Sequence, residues 1–492
     1  MFFVDMRAIV IGSGVGGLAG AIRLQLKGYQ VSVFESNDQP GGKLAQLERG
    51  GFRFDMGPSL FTMPELVDEL FALAGKEPGS HFHYDRLKTV TRYFFADGRQ
   101  FAAPDDAEAF IQEASRQLEE PEENLRRYLD KCRRLYETTH HVFLRRSLHR
   151  TSTFFRKETL RSVLRLHELD AFSSMAQANA RAFKSPYTRQ LFNRYATYNG
   201  SNPYIAPATL NVISHLEHAM GAFYPRGGIY AISEALSNLA RELGVEFHFR
   251  TPVEKIQLRG RKVDGVIAQD VHHQAPLVLS NADITPTYQK LLGSQPLPYG
   301  QRVQTPSTSA LIFYWGVEGT YPQLDLHNIL FSADYEKEFR ELFAAQRLPE
   351  DPTVYINITS KHTPGDAPEG CENWYVMINA PADSGQDWEG DIAACRQRIQ
   401  EKIKALTGIA IQDKIRTEAI WSPPGIAART SSHRGALYGS SSNNRFAAFL
   451  RHPNFSRRFP GLYFAGGSVH PGGGIPLCLL SAQIATDGLA RV

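Results

Sequence analysis

The sequence predicts an α/β protein in which a sheet assembled from both ends of the chain carries an inserted α+β domain and a mostly helical region. Three features predict it. An apolar strand from Ala8 runs into Gly12-Ser13-Gly14-Val15-Gly16-Gly17, then an amphipathic helix over residues 18–27, a second apolar strand over 29–34, and an acid, Glu35. Near the other end, Leu462-Tyr463-Phe464-Ala465 reads as a strand leading into Gly466-Gly467-Ser468 and a helix over 476–492. Between them the apolar spacing is helical over most of 104–218 and becomes strand-like over 308–317, 353–358 and 374–380.

In the first segment each residue type has a physical reason. Gly12 allows a tight turn, Gly14 lets the backbone approach a pyrophosphate, and Gly17 lets the helix sit close against the strand with its N-terminal amides facing the phosphate. A carboxylate at the end of the second strand, Glu35, accepts hydrogen bonds from a ribose diol and repels a 2′-phosphate, which argues against NADP. With strand, helix, strand and acid in register, the segment predicts a Rossmann-like dinucleotide-binding domain. After Glu35, Pro40-Gly41-Gly42-Lys43 reads as a loop whose paired glycines allow close approach to a ligand, and Gly51-Phe52-Arg53-Phe54-Asp55-Met56-Gly57-Pro58 as a short strand ending in a tight turn. Residues 64–73 read as a helix and 89–101 as a hairpin turned at Asp97-Gly98.

At 492 residues the chain exceeds one core. Residues 1–85, 221–290 and 421–492 are expected to form the nucleotide domain in three passes, 86–220 a helical, substrate- and membrane-associated region, and 291–420 a substrate domain of sheet and helices. Cys132, Cys371, Cys395 and Cys478 lie far apart without a C-x-x-C, which suggests neither a metal site nor a disulfide framework. The first strand follows closely on Met1, leaving no room for a signal peptide, so a reducing, cytoplasmic compartment is expected.

Residues 459–486 contain no Asp, Glu, Lys or Arg and are long enough to span a bilayer, but they also hold Pro460, Pro471, Pro476 and six glycines. Those would leave backbone groups unpaired in lipid, so the segment reads as a buried strand, loop and helix. Net charge is only +3, but twelve Lys or Arg against three acids give residues 126–165 a local charge of +9. Apolar residues recur there at helical spacing, at Leu125, Tyr128, Leu129, Cys132, Leu135 and Tyr136. Such a helix either lies on an anionic membrane surface or is a solvated helix packed on its own domain. With no nucleic-acid-binding module around the basic stretch, nucleic acid is not expected as a partner.

At this point the sequence resembles a known family, the carotenoid desaturases of the bacterial and fungal phytoene desaturase type, within the amine-oxidase-like flavoproteins. The resemblance covers nearly the whole chain. It rests on the N-terminal glycine motif, Pro40-Gly41-Gly42, Asp55-Met56-Gly57-Pro58, Tyr224-Pro225-Arg226-Gly227-Gly228, Ser280-Asn281-Ala282-Asp283 and above all His470-Pro471-Gly472-Gly473-Gly474-Ile475-Pro476. It implies a Rossmann-like FAD-binding domain with FAD pyrophosphate on Gly12, Gly14 and Gly17 and the adenosine ribose on Glu35. It places Gly41, Gly42 and Lys43 beside the phosphates or ribityl chain, Gly57 and Pro58 near the isoalloxazine, and Val253 by the adenine. Gly466, Gly467, Gly474 and Ile475 would bring amides to the flavin end. The family often has Arg where this chain has Lys43, which keeps the charge but loses the planar fork. Residues 198–211 and 475–479 look more like the later-acting desaturases, which work on hydroxylated or partly desaturated carotenoids.

The implied chemistry removes a hydride and a proton from neighbouring carbons, and no side chain accepts a hydride, so the cofactor carries that step. Candidate proton-handling groups are Glu158 with Arg161, three apart on one helical face, and His470 among the glycines beside the expected flavin. Their alternative readings are a surface ion pair and a loop histidine bonded to backbone. Phe154, Phe155, Phe172, Phe183, Phe192, Tyr195, Tyr198 and Tyr204 are candidates for lining an apolar substrate tunnel, and equally for core. A long apolar substrate resides in a bilayer, so peripheral association with an anionic membrane surface is expected. Rival readings are a carotenoid isomerase, another flavin oxidoreductase such as an amine oxidase, and a non-enzymatic chaperone of prenylated proteins, whose relatives lack an intact glycine motif.

Overall fold

The structure, a computed structural model, describes residues 6–155, 170 and 172–491. The chain enters β1 (Arg7–Ile11), turns into α1 (Val15–Gln25) and returns as β2 (Gln30–Phe34). A hairpin of β3 (Thr89–Phe94) and β4 (Gln100–Pro104) leads to α2 (Ala107–Leu118) and α3 (Glu122–Thr139). Beyond the helical region come α4 (Tyr230–Glu242), β5 (Glu246–His248), β6 (Leu277–Ser280), β7 (Ser309–Glu318), β8 (His327–Leu330), β9 (Val354–Asn357) and β10 (Cys371–Ala380). The chain closes with α5 (Trp388–Thr407), β11 (Ile415–Trp421), β12 (Leu462–Phe464) and α6 (Ile475–Asp487).

Two sheets organise the molecule. The first is parallel, in the order β12-β6-β1-β2-β5, so strands from residue 7 and residue 464 share one sheet. Its apolar strands pack on α1, α4 and α6. The sequence suggests an amphipathic α1, yet the helix is buried nearly all round, with Arg23 the basic residue of its last turn and paired to Glu69 at 2.7 Å. Helices on both sides consume its surface, and its run of Gly and Ala permits that approach.

The second sheet has the order β11-β7-β10-β9-β8-β3-β4. Period-2 alternation divides its residues. Leu311, Phe313, Trp315, Trp374, Val376 and Ile378 face α5, where Cys395, Ile399 and Ile403 complete a core. Ile312, Tyr314, Tyr375 and Trp421 face the other way, towards Phe52 and Phe54. The hairpin β3–β4 joins this sheet by parallel pairing of β3 with β8, Asn328 opposite Arg92, rather than standing with the helices that follow it.

In the helical region α3 buries Leu125, Tyr128, Cys132 and Leu135, so the apolar face seen in the sequence is spent on its own core, with Phe110, Phe183 and Phe192. Four of its five cations are paired among the described residues: Arg126 with Glu108 and Glu122, Arg127 with Glu123, Lys131 with Asp170 at 3.0 Å and Arg133 with Asp130 at 3.0 Å. Among the described residues no helix is long and apolar enough to cross a membrane. Residues 459–486 form β12, a glycine-rich loop and most of α6. All four cysteines carry free thiols.

Candidate functional site

A cavity of about 530 Å³ runs from the glycine loops at the ends of β1 and β12 to the face of the second sheet opposite α5. All the residues expected at the cofactor line it except Gly17. Gly17 acts one layer back: a methyl group there would lie 2.1 Å from the Gly12 carbonyl oxygen, so its task is close packing of α1 on the loop.

The residues present fit a dinucleotide. Gly14 caps α1 without a side-chain hydrogen bond, and the first turn contains no acid, so the amides and positive dipole end of α1 face the cavity without a side-chain acceptor. The Glu35 carboxylate is buried at the cavity edge. Ser13 N–H and Oγ–H both donate to it at 2.7 Å, and the Asn37 backbone N–H donates at 2.9 Å, which aims it before any ribose arrives. At the other end Gly474 lines the cavity, and a methyl group there would meet nothing within 4 Å, so the backbone stands open to a flat ligand.

Lys43 is half-buried and its Nζ donates to the carbonyls of Ala436 (3.2 Å) and Leu437 (2.7 Å). Burial pulls its pKa below the ordinary lysine value, with Asp283 and Cys478 opposing. A point charge on two carbonyls suits lysine, and no bidentate contact is made. Burial pushes the Cys478 thiol up to about 11, so it stays protonated against the cavity.

Several further residues complete the site, of which the sequence marked Asn281 within a motif, without this role, and Tyr198 as an aromatic candidate. Asn281 wedges between the two glycine loops: its Nδ2 donates to the Ala465 carbonyl at 3.0 Å, and a methyl group on Gly466 would lie 2.5 Å from that atom. Arg451 is buried and braces the closing loop through the carbonyls of Gly467 (3.2 Å) and Ser440 (2.8 Å). Arg429 lines the cavity near the Glu35 end, beside Ser36 and Asn37. The sheet wall contributes Ile312, Ile329, Tyr355, Tyr375, Met377 and Trp421, with His327 and Thr353 as polar members, and the helical region contributes Arg194, Thr197 and Tyr198.

The proton-handling candidates fare differently. His470 does not line the cavity. It is buried, its Nε2 meets the Arg146 carbonyl at 2.7 Å, and burial pushes its pKa down to about 4, so it is a neutral histidine clamped to a neighbouring loop rather than a base beside the cofactor. Glu158 and Arg161 lie outside the described residues. Of the aromatic tunnel candidates, Tyr198 lines the cavity; Phe183, Phe192 and Tyr195 belong to the helical core, Tyr204 packs against that core beside Phe339, and Phe155 and Phe172 face solvent. Nothing is described of the Phe154 side chain.

A family model for flavin containing amine oxidoreductases matches residues 15–489, and the chain belongs to that family. It is therefore an FAD-dependent oxidoreductase. It is 51% identical to a 1-hydroxycarotenoid 3,4-desaturase of Flavobacterium sp. (strain P99-3), over 98% of each chain. It is 32% identical to a 4,4'-diaponeurosporene oxygenase of Staphylococcus haemolyticus, over 98% of this chain and 96% of that one. Among solved structures, an oxidoreductase from Methanosarcina mazei shares the fold at 18% identity, with a TM-score of 0.61 over 98% of this chain and all of that one.

Proposed function

We propose that the protein is an FAD-dependent carotenoid desaturase that forms the C3–C4 double bond of a 1-hydroxycarotenoid. The observation that carries this is the identity of 51% to a desaturase of that description along the full cavity-forming chain. The cavity supports it, because the wall facing the glycine loops is mainly aliphatic and aromatic, as a polyene requires.

FAD would be held by Gly12, Gly14, Gly41 and Gly42 at the pyrophosphate, Glu35 at the ribose, Val253 at the adenine, and Gly57, Pro58, Gly466, Gly467, Gly474 and Ile475 at the ring, with Lys43 supplying positive charge. When bound, it supplies the hydride acceptor that the side chains lack. The protein's own residues orient and shelter the substrate. Tyr355 and Tyr375, packed edge to face with ring centroids 6.1 Å apart, and Met377 give that wall its aromatic and thioether lining. Burial keeps both phenols neutral, so they add no charge against developing positive charge on the polyene. The polyene delocalises that charge, so the proton leaves to a weak acceptor and a dedicated strong base is not needed.

The substrate lives in a bilayer, and we assign peripheral membrane association to a surface other than α3. Phe446, Phe449, Tyr299 and Val303 are exposed, Phe449 contacts Phe143, and the Arg445 guanidinium lies over the Phe446 ring. Gln301 and Gln304 both donate to the Leu450 carbonyl, which holds the two exposed segments together.

Incubation of the FAD-loaded protein with a 1-hydroxycarotenoid in liposomes tests the function. The expected product carries one further conjugated double bond, seen as a longer-wavelength polyene spectrum after chromatography. An isomer of unchanged double-bond count, or an oxygenated product, overturns the proposal.

A further inference from the structure

We propose that His327 is the residue that recognises the substrate hydroxyl and thereby selects hydroxylated over unhydroxylated carotenoids, an inference that rests on the hydroxycarotenoid substrate proposed above. In a 1-hydroxycarotenoid only C2 separates the hydroxyl-bearing carbon from the reacting C3–C4 pair. Whatever binds the hydroxyl must therefore stand beside the flavin, not at the far end of a tunnel.

His327 meets that condition. It lines the cavity from β8 and is 2% exposed. A hydrogen-bonded chain ties it to the loop expected at the isoalloxazine: Ser59, next after Pro58, bonds the Tyr355 phenol at 2.6 Å, and that phenol donates to His327 Nδ1 at 2.7 Å.

The tautomer follows from its neighbours. The Asn357 amide is pinned by donating to the Leu326 carbonyl at 3.0 Å, so it is Nδ2, not Oδ1, that faces His327 Nδ1 at 3.1 Å. Nδ1 is thus an acceptor. Burial pushes the imidazole pKa down to about 4, so the ring is neutral and its proton sits on Nε2. Nε2 has no partner among the described residues. A buried donor without an acceptor carries an unreturned desolvation cost, and a hydroxyl oxygen arriving in the cavity removes it.

The buried polar cluster contributed by the helical region is engaged through its charges, although Arg194 Nε and His218 Nδ1 have no partner among the described residues. Glu217 accepts from the phenols of Tyr195 and Tyr198, and Arg194 donates to Tyr93 at 2.8 Å and lies 3.5 Å from Glu217, so its charges answer one another. Among the described residues, His327 Nε2 is the fully buried, unpartnered side-chain nitrogen on a sheet strand that lines the cavity.

The test compares holoenzyme of wild type, His327→Phe and His327→Gln on a 1-hydroxycarotenoid and on the same polyene lacking the hydroxyl. It reads kcat/KM and, separately, Kd by quenching of protein fluorescence. Wild type is expected to prefer the hydroxylated carotenoid, His327→Phe to lower that preference by about tenfold or more through loss on the hydroxylated substrate, and His327→Gln, which keeps an N–H near Nε2, to retain most of it. Equal losses on both carotenoids, or an unchanged preference in His327→Phe, overturn the proposal. Should His327→Phe fail to fold, His327→Ala is read in its place: a lowered preference that His327→Gln restores supports the assignment, and an unchanged preference overturns it. Turnover of neither carotenoid by wild type counts against the desaturase function instead, and the binding ratio still judges His327.

Discussion

A methyl group at position 17 would stand 2.1 Å from the Gly12 carbonyl oxygen, closer than any real contact, and both atoms belong to rigid backbone. Gly17→Ala is therefore expected to push α1 off the loop and lower stability by about 1–3 kcal/mol, as overpacked cores do. FAD retention should fall as well, because the displaced amides are those facing the phosphates. Thermal melts of the apoprotein and the flavin absorbance of purified holoprotein check this; a variant as stable and as yellow as wild type would contradict it. Residue by residue, the cofactor end was legible because backbone-binding chemistry demands glycine at fixed spacing, and a spaced glycine is visible in one dimension. Glu35 was legible for the same reason, since its place is set by the strand that ends there. His470 was not: the sequence shows a histidine among glycines but not that the Arg146 carbonyl closes over its Nε2. His327 carried no signal at all, because the short strand His327–Leu330 acquires its meaning from Asn357 and Tyr355 on the neighbouring strand.

At the scale of elements, periodicity reveals that a face is apolar but not what covers it. In α3 the covering is the helical region itself, and most of its cations are engaged by nearby acids. Exposed pairs of this kind contribute about 0–1 kcal/mol each to stability, but they do cancel the charge a membrane would have to attract. The patch carrying Phe446, Phe449 and Tyr299 has the opposite character, with aromatic rings left in water beside arginine. Replacing Phe446 and Phe449 together with Ser is expected to reduce flotation with anionic liposomes severalfold while leaving FAD content unchanged. Neutralising Arg127 and Arg133 on α3 should change flotation little. The reverse pattern would return the docking surface to α3. Helix α1 teaches the same lesson, since its apolar stripe was visible but the helix on its far side was not.

At the scale of the molecule, the parallel sheet closed by both chain ends was readable from the matching strand-to-glycine segments, and the second sheet from its long apolar strands. The hairpin at 89–104 was readable as a hairpin, but parallel pairing of β3 with β8 joins residues more than two hundred apart, which local pattern does not encode. The assembled fold also buries His218, His327, His452 and His470, each pushed down to about 4 by burial. The unfolded chain takes up their protons near pH 6.5 while the folded chain refuses them until about pH 4, so the stability they confer is complete above 6.5 and is lost as pH falls through that window. Asp55, Asp68, Glu338, Asp366 and Asp487, raised by burial, run the other way, but among the described residues they are five against nine histidines that burial lowers. Thermal melts of the protein should therefore drop between pH 6.5 and 4.5, by about 1.4 kcal/mol per pH unit for each such histidine in the steep part; a flat profile would contradict neutral burial of these rings.

The glycine loops that fit a dinucleotide and the apolar sheet wall share one cavity, and anaerobic mixing of the FAD-loaded protein with a 1-hydroxycarotenoid tests that joint most directly. Loss of the oxidised flavin's visible absorption should match, mole for mole, the appearance of carotenoid with one further double bond. Product formed while the flavin stays oxidised, or a flavin that never bleaches with substrate bound, would contradict it.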